Sequence, residues 1–169
     1  MLYTVGPRWT TNWWSDWTEI LTASAYDGVS AHLVDSLALP PTWPHPVLVV
    51  ETNVFIGRSG TNWWSTNASR SYLETWTLAD AGRFTQLGSA TLAMPASTLA
   101  GFNGLLAAQE TDNNVVLFDH ADPTALRVVG QGKPSGCVWF DLSHADGALG
   151  RGLWIPLGAF GVATIPASP

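Results

Sequence analysis

The pentapeptide TNWWS occurs twice in this chain, at Thr11–Ser15 and at Thr61–Ser65, and each copy precedes the same pattern. After each copy the sequence predicts a strand, a tight turn, a second strand and then a proline, over Ile20–Pro40 and over Trp76–Pro95. In the first of these ranges the turn is Asp27-Gly28, an Asp-Gly pair between two apolar-rich runs, which strongly favours a β-hairpin. An internal repeat of this kind constrains the fold more than any other feature of the sequence.

A third, shorter copy of the pattern begins at Val115–Asp119 and ends at Pro134. A further strand is predicted upstream of each hairpin, and inner strands complete several of the units. The upstream strands are Leu2–Val5, Val47–Glu51, Gly104–Gln109 and Gly152–Leu157, and the inner strands are Thr42–Pro46, Ser97–Phe102 and Cys137–Leu142. A unit of roughly four short antiparallel strands, repeated about every 40–55 residues, is typical of a β-propeller blade.

The alternative all-β fold is a β-sandwich or jelly roll, which also has short strands and turns but needs no self-similarity. Composition favours the all-β class in either case. Only 12% of the residues are charged, against ~25% in an ordinary soluble domain, and the chain holds 16 Gly and 11 Pro. Long helices that face solvent need more Glu, Lys and Arg than this on their outer side.

We expect the 169 residues to form one all-β domain. Its parts are predicted as a blade remnant at 1–40, blades at 41–95 and 96–134, and a partial blade at 135–169. These amount to about three and a half blades, whereas a closed propeller has at least four. The sequence therefore predicts a piece of a larger propeller, a propeller completed by a second chain, or a four-bladed ring that the N-terminal segment completes.

Charge and hydropathy exclude two classes of partner. The formal net charge is −6, and the seven Lys and Arg residues are scattered along the chain. Because nucleic-acid binding needs a basic patch that neutralises phosphates, we expect no nucleic-acid partner. No apolar run approaches the ~20 residues of a membrane-spanning helix, so no membrane span is predicted. Cys137 is the one cysteine, which excludes an intrachain disulfide, and its apolar surroundings predict a small hydrophobic side chain in a strand.

Val115–Pro123 and its continuation Leu126–Gly130 resemble a repeat whose usual form reads V-I-D-V-S-D-P, followed by a strand and Val-Gly. That repeat is found in LVIVD-like and related C-terminal propeller-domain proteins, a family of secreted or cell-surface bacterial β-propellers, and the similarity covers residues 70–167. The resemblance implies an extracellular, cell-surface or periplasmic propeller without an assigned reaction. The chain departs from the family in Trp-rich insertions at 6–16 and 53–70, and its first residues lack the charged and apolar regions of a signal peptide.

No recognisable catalytic group is present in the sequence. Asp141, Ser143 and His144 are close along the chain, but proximity in sequence is not triad geometry, and the segment predicts a polar turn leading to Asp146-Gly147. Several carboxylates near predicted strand ends include no pair with the spacing of a glycosidase, namely Glu51, Glu74, Glu110 and Asp112. No catalytic residue is therefore predicted.

Metal binding is not predicted either, because the four histidines are widely separated along the chain. Acidic and amide residues cluster where turns are expected, at Asp112, Asn113, Asn114, Asp119 and Asp122. They lack the spacing of a calcium loop, and such residues commonly satisfy free backbone groups of turns. We expect them to cap turns, and we predict no cofactor.

Each TNWWS copy is predicted to lie between the second and third strands of its own blade, and the two blades are adjacent. Connections of this kind emerge on one face of a propeller. Indole rings stack on sugars or clamp a partner's side chains, and Asn and Thr add hydrogen bonds. The predicted binding residues are Asn12, Trp13, Trp14, Asn62, Trp63 and Trp64. The alternative is that these tryptophans pack long loops onto the blades, because alternate side chains of an extended segment face opposite ways.

The sequence leaves three functions open. The first is a non-enzymatic interaction module whose Trp-rich rim contacts a protein partner in an exported or cell-surface assembly. The second is a carbohydrate-binding lectin that uses the same rim. The third is part of a propeller enzyme whose active site is completed by another chain.

Overall fold

The computed structural model describes residues 1–9, 17–39, 46–59, 70–79, 82–135 and 140–168, which form an all-β structure. The all-β prediction is confirmed. Within the described residues the strands make four antiparallel sheets. The predicted residues of both TNWWS copies, Cys137, and nearly all of the predicted inner strand Thr42–Pro46 lie outside the described part of the chain.

Each sheet is built from strands that are consecutive in the chain. The first sheet holds β1 (Leu2–Trp9), β2 (Trp17–Tyr26) and β3 (Ala31–Ala38). The second holds β4 (Val47–Val50), β5 (Asn53–Ser59), β6 (Ser71–Leu78) and β7 (Phe84–Leu92). The third holds β8 (Ala96–Gly101), β9 (Leu105–Glu110), β10 (Val115–Asp119) and β11 (Arg127–Gly132). The fourth holds β12 (Asp146–Ala148), β13 (Gly152–Pro156) and β14 (Val162–Ile165).

The four sheets pack face to face in chain order, through three successive apolar clusters. We call the side of a sheet that points to the preceding sheet its front face, and the side that points to the following sheet its back face. On the third sheet, Leu106 and Phe118 belong to the cluster shared with the second sheet, whereas Leu105 and Leu117 belong to the cluster shared with the fourth. These four side chains are fully buried because both faces of the third sheet are covered.

The second sheet is also covered on both faces, and this corrects one prediction. Val54 and Ile56 of β5 pack against the first sheet, and Phe55 packs against the third. The predicted insertion at 53–70 is therefore wrong over its first part, since 53–59 is an inner strand of the sheet. The predicted insertion at 6–16 likewise begins too early, because β1 continues to Trp9. A strand that is covered on both faces has a continuous apolar run in its sequence. It lacks the alternation of apolar and polar residues that marks a half-exposed strand.

The fourth sheet differs from its prediction in its first strand. Leu142 was expected to end an inner strand, but it begins a short 3₁₀ helix, Leu142–His144. Asp146-Gly147 was expected to form a turn, yet both residues belong to β12. Gly147 is used here for close packing, because a Cβ at this position would lie 2.9 Å from the side chain of Leu153 on the neighbouring strand.

The sheets share one orientation, which places equivalent connections at the same end. We call the end at which the chain passes from one sheet to the next the link end. Past the end of β3, the N–H of Leu39 donates to the carbonyl of Glu19 near the start of β2, at 2.8 Å. Between the second and third sheets, the N–H of Thr111 in the β9–β10 turn donates to the carbonyl of Pro95, at 2.9 Å. The β1–β2 and β9–β10 connections thus both begin at the link end.

Candidate functional site

A small cleft opens between the first and second sheets at the link end. We call it the link-end cleft; its volume is about 60 Å³. It is lined by Leu37, Ala38, Leu39, Ile56, Arg58, Glu74 and Trp76. The end of β3 pairs with the start of β2, which follows the first TNWWS segment, and the end of β5 precedes the second segment. Because the ends of β3 and β5 line the same cleft, the strands that lead to the two segments lie close to each other. A volume of this size corresponds to about two water molecules.

An ion pair lines the cleft, and its carboxylate also accepts a hydrogen bond from an indole N–H. Glu74 lies opposite Ile56 in the β5–β6 register, so both occupy the front face of the second sheet. The Nη1 group of Arg58 donates to both carboxylate oxygens of Glu74, at 2.9 and 3.2 Å. The Nε1 group of Trp76 donates to Oε2 of the same carboxylate, at 3.0 Å. The side chain of Glu74 is 10% exposed and that of Arg58 is 37% exposed, so the pair is held at the edge of the core.

This arrangement supplies a fixed platform rather than a reactive group. Two donor groups on two paired strands, Nη1 of Arg58 and Nε1 of Trp76, make three bonds to Glu74 and fix the carboxylate in one orientation. The charge of Glu74 is matched by Arg58. The platform therefore ties β5 to β6, the two strands that flank the second TNWWS segment.

Removing the carboxylate by Glu74→Ala is expected to destabilise the fold by about 1–3 kcal/mol, because the indole N–H and the half-buried guanidinium lose their acceptor. Chemical denaturation of the purified variant measures this loss. The matched control is Lys133→Ala, which removes an exposed pair in which Lys133 lies 3.5 Å from the carboxylate of Asp112 and leaves the turn cap of Asp112 in place. Exposed pairs contribute about 0–1 kcal/mol, so the control is expected to change stability little. Equal losses in the two variants would contradict the structural role of Glu74.

Glu19 is a second carboxylate near this end of the first sheet. It alternates with Leu21 along β2 and therefore lies on the back face, toward the second sheet. Burial raises the pKa of the Glu19 carboxyl above its ordinary value of 4.5. The ionised form is therefore less favourable in the folded protein than in the unfolded chain.

Replacing Glu19 by Gln is expected to raise the melting temperature at pH 7, by no more than about 2 °C because the side chain is half exposed. A raised pKa in the folded state costs stability only where the group ionises, so the gain should vanish at a pH below 4.5 and grow as the pH rises above it. Thermal melts of both proteins from pH 3.5 to 7 test this. A gain that is the same at both ends of the range would show that charge is not its cause.

The predicted binding residues lie outside the described part of the chain, so their predicted role stays a prediction. These are Asn12, Trp13, Trp14, Asn62, Trp63 and Trp64. The structure does describe the strands on either side: the first segment falls between β1 and β2, and the second falls between β5 and β6. Both connections leave from the link end, on either side of the link-end cleft.

Exposed apolar side chains lie at or beside two further connections at the link end. The β13–β14 connection contains Phe160, which is 70% exposed. Beside the β9–β10 connection lies Met94, which is 43% exposed. The backbone N–H of Met94 donates to the carboxylate of Glu110, at 2.8 Å, and this bond fixes its position against the turn. Large apolar side chains are thus displayed at the same end as the TNWWS segments.

Several carboxylates that the sequence analysis considered for catalysis or for metal binding form structural hydrogen bonds. Glu110 is 1% exposed, and it accepts a bond from Asn114 Nδ2 at 2.5 Å as well as the bond from Met94. Asp112, Asp119 and Asp122 accept bonds from backbone N–H groups two residues further on, at 2.9–3.0 Å. These are turn-capping bonds of the predicted kind.

Asp141, Ser143 and His144 do not have the geometry of a catalytic triad. Nδ1 of His144 lies 3.3 Å from Oγ of Ser143 and 3.8 Å from a carboxylate oxygen of Asp141, so the same ring nitrogen faces both partners. A triad needs the two partners on opposite nitrogens of the ring. Asp141 instead accepts a bond from the N–H of Ser143, which caps the short 3₁₀ helix.

The described residues include no group of three or more His, Cys, Asp or Glu side chains placed to hold a metal ion. No helix in the described ranges is long and apolar enough to cross a membrane.

Comparison with known proteins identifies no relative. No protein-family model matches the chain, and no curated protein matches it. The resemblance to exported bacterial propellers, which depends on Val115–Gly130, therefore stays a prediction.

The platform of Arg58, Glu74 and Trp76 was not predicted from the sequence. Glu74 and Trp76 alternate along one strand, which places them on one face. Arg58 joins them only through the register of β5 against β6, and β5 was not predicted. Recognising the run Val54–Gly57 as an inner strand would have brought all three residues together.

Proposed function

We propose that this chain is a non-catalytic binding module made of β-propeller blades, and that its link end contacts a protein partner. The packing of four antiparallel sheets in chain order supports the propeller, because each sheet joins its neighbours through opposite faces, as blades do. A two-sheet sandwich needs only one such junction. Three successive clusters join the four sheets here.

One observation carries the proposed binding surface: the end of β3, which pairs with the start of β2 after the first TNWWS segment, borders the same cleft as β5 and β6, the strands on either side of the second segment. Adjacent sheets lie about 10 Å apart, so we propose that the two Trp-Trp pairs together make one aromatic surface. Trp and Tyr dominate the binding energy of protein interfaces, and a surface of this kind is suited to a protein's apolar side chains. The exposed Phe160 and Met94 extend the surface over the third and fourth sheets.

The size of the link-end cleft favours a broad surface over a small-molecule pocket. Its volume of about 60 Å³ is far below the ~300–1,000 Å³ of typical ligand sites. Arg58 and Glu74, the two charged residues that line the cleft, are paired with each other. Following the resemblance, we propose an extracellular, cell-surface or periplasmic location for the module and its partner.

The test compares the wild type with a variant that carries Trp13→Ala, Trp14→Ala, Trp63→Ala and Trp64→Ala. Both proteins are immobilised and exposed to secreted and surface proteins of the source organism, and the bound protein is cross-linked and its contact peptides are mapped. We expect a protein whose cross-links fall at the link end and whose affinity drops at least about 100-fold in the variant, since each hot-spot Trp contributes about 2 kcal/mol or more. The matched control is Val128→Ala, on the outer strand of the third sheet.

Three outcomes would count against this function. One is a partner whose cross-links fall away from the link end. Another is unchanged affinity of the four-Trp variant, provided that its melting temperature shows that it is folded. The third is binding of the wild type to a glycan array that the same variant loses, which would favour the lectin function instead.

A further inference from the structure

The front face of the first sheet is uncovered over the described residues and carries little charge. Hydroxyl and apolar residues predominate on it, and Arg8, on the edge strand, is the one charged residue that the strand registers place there. The face is formed by Leu2, Thr4, Gly6, Arg8, Thr18, Ile20, Thr22, Ser24, Tyr26, Ala31, Leu33, Ser36 and Ala38. Leu2 is 46% exposed and Leu33 is 66% exposed. The hydroxyls of Thr4 and Thr22 hydrogen-bond to each other, at 2.6 Å.

The back face of the fourth sheet is exposed over part of its area. It carries Asp146, Ala148, Gly152, Trp154, Pro156, Val162 and Thr164. Ala148 and Gly152 are buried, and only Asp146, on the edge strand, is charged. Val162 is 63% exposed. The opposite face of this sheet is the buried one, with Leu153 and Ile155 fully enclosed against the third sheet.

The junctions inside the chain indicate what fits these two faces. Each junction joins the back face of one sheet to the front face of the next: Phe55 of the second sheet meets Phe118 of the third, and Leu117 of the third meets Leu153 of the fourth. A front face is therefore complementary to a back face of the same repeat. Among the described sheets, the uncovered back face belongs to the fourth and the uncovered front face to the first.

We propose that two copies of this chain join through these faces. The back face of the fourth sheet of each copy packs on the front face of the first sheet of the other. One two-fold axis relates both contacts, so the assembly closes as a ring of eight sheets and leaves neither of the two faces exposed. This inference depends on the proposed arrangement of the sheets as blades, and it is independent of the partner bound at the link end.

The area available fits a weak dimer. The three strands of the fourth sheet hold 3, 5 and 4 residues. With strands spaced ~4.8 Å apart and a rise of ~3.3 Å per residue, each of the four contacting faces offers roughly 190 Å², or about 760 Å² in total. Interfaces of this size are weak or transient, so we expect a dissociation constant in the micromolar range.

The test is the mass in solution, measured by sedimentation velocity and light scattering at about 100 μM, well above the expected dissociation constant. We expect about twice the 18.1 kDa of the chain. Leu33→Glu places a charge on the front face of the first sheet, and Val162→Glu places one on the back face of the fourth. Each variant alone should give the monomer mass, because each face takes part in both contacts of the ring. Val128→Glu is the control, and it should remain dimeric, since Val128 is 50% exposed but lies on neither face.

The pattern across variants separates this ring from other assemblies. A dimer that only Leu33→Glu breaks would be joined through two first sheets, and one that only Val162→Glu breaks would be joined through two fourth sheets; either result overturns the ring. A wild-type monomer at this concentration, or a mass that keeps growing with concentration, also overturns it. The four-Trp variant should remain dimeric, so loss of partner binding and loss of dimerisation are distinguishable.

Discussion

Replacing Phe118 by Ala is expected to lower the free energy of unfolding by about 3–5 kcal/mol, which is a large share of the ~5–15 kcal/mol of a typical domain. Phe118 is fully buried on the front face of the third sheet, where it packs in one cluster with Phe55 and Leu73 of the second sheet. The substitution removes apolar contacts and leaves a cavity at the junction of two sheets. Both effects act on the two sheets at the centre of the series.

Denaturation with urea, followed by tryptophan fluorescence and circular dichroism, measures this loss. The control is Val128→Ala, which truncates a half-exposed side chain opposite Phe118 in the β10–β11 register. We expect the control to lose less than about 1 kcal/mol. A loss below about 1 kcal/mol for Phe118→Ala as well would mean that the second and third sheets do not pack through this side chain.

Replacing Gly130 by Ala is expected to cost about 2 kcal/mol or more, because the new methyl group would overlap a backbone carbonyl that cannot turn aside. The carbonyl oxygen of Pro166, in the segment after the fourth sheet, contacts Gly130 on the outer strand of the third. The backbone at Gly130 is not in the left-handed region, so a strained dihedral angle contributes nothing to the effect. The cost comes from the closeness of the two sheets alone.

Gly132→Ala is the matched control for this substitution. Gly132 is also a glycine of β11 with ordinary backbone angles, but a Cβ built there makes ordinary van der Waals contacts of 3.4–3.7 Å with the side chain of Ile165. We expect no loss of stability, or a gain of a few tenths of a kcal/mol, because alanine restricts the unfolded chain. Comparing thermal melts of the two variants tests the junction, and an equal melting temperature for both would contradict the close approach of the third and fourth sheets.

The hairpins could be predicted from the sequence because local chemistry determines them. β10 has the predicted bounds, Val115–Asp119, and Gly28 has the positive φ angle, 99°, that an Asp-Gly turn requires. The inner strand β5 could not be found in this way. Its residues Val54, Phe55 and Ile56 are all buried, so the strand lacks the alternation on which a reading of a single sequence depends.

The Asp-Gly pair at 146–147 shows the limit of local chemistry. The same dipeptide makes a hairpin turn at Asp27-Gly28 and a strand at Asp146-Gly147. In the second case the small size of Gly147, rather than its conformational freedom, is what the structure uses, and that depends on the neighbouring Leu153. The Arg58–Glu74 pair could not be predicted from local sequence either, since only the register of β5 against β6 brings these residues together.

The distance between the two TNWWS segments tests the proposed binding surface most directly. A variant with Ser15→Cys, Ser65→Cys and Cys137→Ala carries two thiols for spin labels, and pulsed electron-spin resonance in an excess of unlabelled chain reports their separation within one molecule. Segments at the same end of adjacent sheets, about 10 Å apart, should give a distance below about 25 Å once the label arms are included. A distance above roughly 40 Å, longer than a strand of ten residues, would place the segments at opposite ends and contradict a shared surface.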